Sequence, residues 1–209
     1  MRAWLAAGVA AIALIPLIAI MTGCSETPAV ETKPKAELPS APITGRQAFQ
    51  MTYPSARTWA PDCQPIRMRS MHLPNVKPEN GKAGAWQIDY VSQARGRQRS
   101  YSWSAIEGEG SLHKGVFGTQ EEPWGGAQGQ EQPFLAAALK IDTPEAWAAA
   151  VGKSGEYLNK PGVKPRVNFM LTQTSRYPDP AWRVFWGESV SAAEWSVFID
   201  ATTGAYLGR

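Results

Sequence analysis

Cysteine and histidine each occur only twice in this 209-residue chain, and neither sign of charge dominates, with 21 Lys+Arg against 18 Asp+Glu. Each scarcity excludes a class. Two cysteines cannot staple a disulfide scaffold. A net charge of +3 leaves no electrostatic footprint for nucleic acid. His72 and His113 belong to no recognisable motif, and with the cysteines they are too few and too widely spaced for a zinc site. The one conceivable nucleophilic pair is Cys63 with His72, set against the plainer reading of a lone thiol and a strand-edge histidine. Glu107 with Glu109 and Glu121 with Glu122 could attract calcium, but carboxylates in Gly-rich stretches are commonly just solvated. The sequence therefore assigns no catalytic residue, no metal and no cofactor.

What is present begins with a leader. Arg2 supplies a positive start, Ala3 to Met21 carries no charge, and Met-Thr-Gly-Cys closes the run at Cys24. This resembles a bacterial lipoprotein signal peptide, residues 1–23, with Met21 standing where such signals usually have Leu; the alternative is an uncleaved anchor helix. The resemblance implies diacylglyceryl and palmitate attachment at Cys24, and hence the membrane as a partner. It also implies a place on the periplasmic face of the cell envelope. Ser25 in place of Asp favours the outer membrane over the inner. Residues 24–42 hold Pro28, Pro34, Pro39 and Pro42 among polar residues and read as a disordered tether.

Two similar patterns follow. In residues 43–115, Thr44 and Gln47 form a capping box before a helix that Pro54 should kink or divide. Alternating runs at Ile66 to Leu73, Trp86 to Val91 and Tyr101 to Ala105 then predict three strands. In residues 134–209, a short helical lead-in at Phe134 to Leu139 precedes a helix capped by Thr143, with Pro144 in its first turn and an apolar face through Trp147, Ala150, Val151 and Leu158. Val167 to Thr172, Trp182 to Trp186 and Trp195 to Ile199 are its strands. Thr44 and Thr143, Trp86 and Trp182, Tyr101 and Trp195, and Gly110 and Gly204 are offset by 99, 96, 94 and 94 positions. Such agreement predicts an α+β fold of two tandem units, each a helix on a small antiparallel sheet of three or four strands. Residues 116–133, rich in Gly, Gln and Pro, read as the connecting loop.

The second unit runs from its last strand into Asp200-Ala201-Thr202-Thr203-Gly204. Asp200 and Thr203 suit the backbone bonds of a tight turn, and Gly204 suits its positive φ. This resembles the end of PepSY-type domains, which pair a helix with a small antiparallel sheet. The first unit departs from the pattern, with Ile106-Glu107-Gly108-Glu109-Gly110 at that place. The resemblance implies a non-catalytic envelope module, in a family associated with peptidase propeptides and suspected protease inhibition.

Strand parity divides the remaining side chains into faces. Trp86, Ile88, Tyr90, Tyr101, Trp103 and Ala105 fall on one face of the first unit, and Trp182, Val184, Trp186, Trp195, Val197 and Ile199 on one face of the second. These are the expected core. The opposite faces carry Arg67, Arg69 and Asp89 in the first unit and Met170, Arg183, Phe185 and Phe198 in the second. These seven are the candidate partner-binding residues. The apolar ones either form a contact surface or lie under the connecting loop, near Trp124 or Phe117. The function expected is a lipid-anchored binding module acting on an envelope protein or peptidase, as inhibitor or assembly factor. A carbohydrate or peptidoglycan binder using exposed tryptophans and an unrecognised hydrolase are the alternatives. Cys63 is expected to be a buried thiol without an internal partner, the alternative being a pairing to another chain.

Overall fold

The computed structural model describes residues 41–110, 112–127, 131–163 and 166–209. The leader, Cys24 and the tether as far as residue 40 lie outside the described residues. Two residues of β1 (Ile43–Thr44) lead into α1 (Gly45–Trp59). The Thr44 side chain accepts from Gln47 N–H, and the Gln47 side chain accepts from Thr44 N–H, so a capping box starts the helix. Pro54 does not divide α1, which is continuous to Trp59. A proline in a helix removes one backbone donor, and burial of Ala48, Phe49, Thr52 and Ala56 against the sheet holds the helix together across that gap.

The strands of the first half are β2 (Gln64–Met71), β3 (Lys82–Ala83), β4 (Ala85–Ser92) and β5 (Arg97–Ser104). Residues 116–133 prove to be more than a connecting loop. They contribute most of β6 (Gly115–Gly118), all of β7 (Glu122–Pro123) and all of β8 (Glu131–Gln132). β6 and β7 pair with β5, and β8 pairs with the second half. A 3-10 turn at Ala136–Ala138 then precedes α2 (Thr143–Gly152) and the single-turn α3 (Gly155–Leu158). The last strands are β9 (Val167–Thr174), β10 (Tyr177–Gly187), β11 (Ala193–Asp200) and β12 (Tyr206–Gly208).

Two sequence expectations for α2 are corrected. Asp142, not Thr143, is its cap, accepting from Thr143 N–H at 2.7 Å. The Thr143 hydroxyl faces the other helix and accepts from Gly45 N–H at 2.9 Å, while Asp142 Oδ1 accepts from Arg46 N–H at 2.9 Å. The opening N–H groups of α1 are thus satisfied by the residues that begin α2. Leu158 belongs to α3, because Ser154 breaks the helix and its hydroxyl donates to Ala150 C=O. Trp195 Nε1 donates to the same hydroxyl, and Tyr157 stacks on the Trp195 ring at 5.5 Å, which docks α3 on β11.

The fold is α+β, with few helices packed on one large antiparallel sheet. Its order is β12-β11-β10-β9-β2-β4-β5-β6, with β7 beside β5 and β8 beside β9. Two small sheets were the sequence expectation, and the seam between β2 and β9 makes one of them. Arg67 pairs with Thr172, Met68 with Leu171 and Arg69 with Met170 across that seam. β1 and β3 form a separate two-stranded pair. One face of the large sheet is the core, where Trp86, Trp103, Trp182 and Trp186 are fully buried with Met68, Leu171 and Ile199 under the helices. Trp86 Nε1 donates to Ile43 C=O at 3.0 Å and Trp182 Nε1 to Ile141 C=O at 2.9 Å. In each half the accepting carbonyl belongs to the residue before the helix cap.

Candidate functional site

The face of the sheet away from the helices carries all seven candidate binding residues. Register places Phe198, Arg183, Met170, Arg69, Gln87 and Ser102 in one row across β11, β10, β9, β2, β4 and β5. A neighbouring row runs through Thr172, Arg67, Asp89 and Ser100. Phe185 and Asn168 lie opposite each other in a third.

The first-half residues form a closed polar network. Arg67 Nε donates to Asp89 Oδ2 at 3.0 Å, and its Nη1 reaches Glu131 on β8. Asp89 Oδ1 also accepts from Ser100 Oγ at 2.6 Å and Gln87 Nε2 at 2.8 Å. Burial alone would push the Arg67 pKa down, but the hydrogen bond and charge of Asp89, with Glu131 behind, leave it raised. Among the described residues Arg69 donates only to Gln87 Oε1, at 3.0 Å, and it is exposed.

The second-half residues are arranged differently. Phe185 is buried, and Phe198 and Met170 are half-buried. The segment with Trp124 and Phe117 does not cover them: Trp124 N–H donates to Gly96 C=O, and Phe117 packs on His113. Guanidinium groups cover the two phenyl rings instead. Arg183 lies 5.4 Å from the Phe185 ring centre and 5.9 Å from that of Phe198, and Arg176 lies 5.5 Å from Phe198. Tyr177 packs on Phe198 at 5.4 Å. Arg183 is further held by Ser196 Oγ and Val190 C=O, and desolvation draws its pKa down from the usual guanidinium value.

Beside this row the face opens into a cleft of about 790 Å³. Its floor is Arg69, Asn168, Met170 and Phe185, at the ends of β2, β9 and β10. Its walls are the loops at 72–75, at 106–109 with Leu112, and at 188–190. Parity exposed the floor residues in the sequence; no periodic signal marks the loops, nor Arg176, Tyr177 and Glu131, which complete the surface.

The turn residues sit at the far end of β11. Asp200 Oδ1 accepts from Thr202 N–H at 2.7 Å and Thr203 N–H at 2.8 Å, Thr203 Oγ1 accepts from Ala205 N–H, and Gly204 adopts φ +78°. The corresponding loop of the first half also closes on a carboxylate. Glu107 accepts from Lys114 N–H and pairs with His113, and Gly110 adopts φ +67°.

Cys63 and His72 are separated by the length of β2, roughly 25–30 Å at the rise of an extended strand, so they form no dyad. His72 lies at the cleft, where desolvation and Arg166 hold its pKa below the ordinary imidazole value. Cys63 is buried, and burial raises its thiol pKa. Native protein should therefore react with a thiol reagent at least about a hundredfold more slowly than denatured protein at pH 8, as measured by colorimetric titration. Among the described residues no group of three or more His, Cys, Asp or Glu is placed to hold a metal. No helix among them is long and apolar enough to cross a membrane.

No protein-family model and no curated protein matches the sequence. A solved structure does match the fold. It is the crystal structure of a candidate lipoprotein from Clostridium difficile, similar at a TM-score of 0.51 and 8% identity over 82% of this chain and 93% of that one. At that identity the likeness concerns the fold alone.

Proposed function

We propose that this protein is a lipid-anchored, non-catalytic binding module of the bacterial cell envelope, tethered through Cys24, whose open sheet face receives a protein partner. The observation that carries the reading is the cleft on the side of the sheet away from the helices, with a floor of paired strands. Rigid strands hold floor side chains in place, and loops at the rim adapt to a partner. The lipobox-like run ending at Cys24 supports the anchor, as does the description of the structural neighbour as a candidate lipoprotein.

The proposal includes two tandem PepSY-like units fused at the β2–β9 seam. Support comes from the matching indole bonds of Trp86 and Trp182, each to the carbonyl before a helix cap. The carboxylate-closed turns at Glu107 and Asp200 lie at equivalent places. Membrane attachment and outer-membrane sorting are tested by radioactive palmitate labelling followed by fractionation. Wild type should carry label in the outer-membrane fraction, and a Cys24→Ala protein that still takes up label overturns the anchor. The binding face is tested by crosslinking in intact cells. Met170→Arg should lose at least about nine-tenths of the crosslinked partner at unchanged expression, and equal recovery overturns the face.

A further inference from the structure

Arg69 and Arg183 face the same side of the sheet from β2 and β10, and Met170 on β9 stands between them, opposite each in register. Two strand spacings separate their backbones by about 10 Å. Neither guanidinium has an ion pair with a carboxylate among the described residues, whereas Arg67 beside them has two. Arg69 is bound to a neutral amide, and Arg183 to a hydroxyl and a carbonyl. Arg183 is also partly desolvated by the rings beneath it. Arg183, held in place and partly stripped of water without a counter-ion, gains much from an arriving anion, because its ordering and desolvation have already been met in the free protein, and the exposed Arg69 adds a second charge.

From this we infer that the segment received by the cleft is acidic: it sets an Asp or Glu carboxylate over Met170 between Arg69 and Arg183, with a bulky apolar side chain beside it on the wall of Leu73, Ile106 and Leu112. The inference rests on the binding-face reading and adds the chemistry of the partner. The carboxylates of the cleft, Glu107, Glu109 and Glu188, lie on its wall loops and not on its floor, and Glu107 is engaged by His113 and Lys114. An acidic side chain therefore has to reach the floor to meet its complement. A protein segment suits the site better than an anionic bilayer, because Met170 and Phe185 lie at the bottom of a cleft and not on a projecting surface.

The test uses the full-length, detergent-solubilised protein and three pools of fluorescent octapeptides: Leu/Phe with Glu, Leu/Phe with Lys, and Ser with Glu. The Leu/Phe–Glu pool should bind roughly tenfold more tightly than either of the others, and added salt should weaken it. Arg69→Glu, at an exposed position, should abolish that preference while the thermal midpoint is unchanged, and Arg183→Gln should weaken it. Equal binding of acidic and basic pools, lost on Met170→Arg, overturns the acidic partner and leaves the binding face standing. Failure of every pool to bind overturns the inference. Stronger Arg69-dependent binding to phosphatidylglycerol vesicles than to any pool overturns it in favour of a membrane.

Discussion

Replacement of Trp86 by alanine should lower stability by about 3–5 kcal/mol, the largest loss expected from a single substitution in this fold. Trp86 is fully buried near the start of β4, 6.1 Å from the Phe169 ring and 6.5 Å from Trp182, which belong to the other half. Its loss opens a cavity under the seam and leaves Ile43 C=O without the indole donor. Trp86→Phe shifts the balance between the two effects, because it keeps most of the ring contact while removing the indole donor and the smaller ring of the indole. A cost of about 1–3 kcal/mol is expected for it. Urea unfolding followed by circular dichroism measures both, and a Trp86→Ala midpoint equal to that of wild type would remove the packing argument.

Gly81→Ala should cost about 2–4 kcal/mol although it adds a single methyl group, lowering the thermal midpoint by roughly 5–15 °C. Asn80 and Gly81 have φ +38° and +87° and make the tight turn between Glu79 and Lys82. A Cβ on Gly81 would stand 2.5 Å from Thr143 C=O and 2.6 Å from the Pro144 backbone. The substitution therefore strains the turn and drives it away from the start of α2. Gly110→Ala is the control: it has φ +67° but open space around it. It should show only the backbone strain, about 1–2 kcal/mol. Equal midpoints for the two variants, read by calorimetry, would show that the close approach to α2 contributes nothing.

Much of this fold was legible because local signals and burial agree. The Thr44 and Gln47 capping box, the alternation of Trp86, Ile88 and Tyr90 and the turn at Asp200 each depend on neighbours within a few residues. The seam was not legible, since β2 and β9 are about a hundred residues apart and strand pairing leaves no periodic mark of its partner. The cap of α2 was misplaced by one residue because Asp142 and Thr143 are each good caps. Only tertiary contact shows that the Thr143 hydroxyl serves Gly45. For the site, parity put Arg69, Met170, Arg183 and Phe185 on one face, whereas the cleft depends on three loops that have no pattern. Nor does any spacing rule foretell that Arg176 and Arg183 clothe Phe198.

The large sheet stops at short strands, β12 of three residues on one side and β6 of four with β7 of two on the other. Two molecules meeting edge to edge through these strands would gain only a few backbone bonds before running out of strand. Apart from β11 the long strands lie in the sheet interior, and β11 is paired on its outer side at Phe198 and Ile199. For a protein anchored as proposed above, those short outer strands give neighbouring copies little backbone to pair with, and the broad face stays free to meet something other than itself.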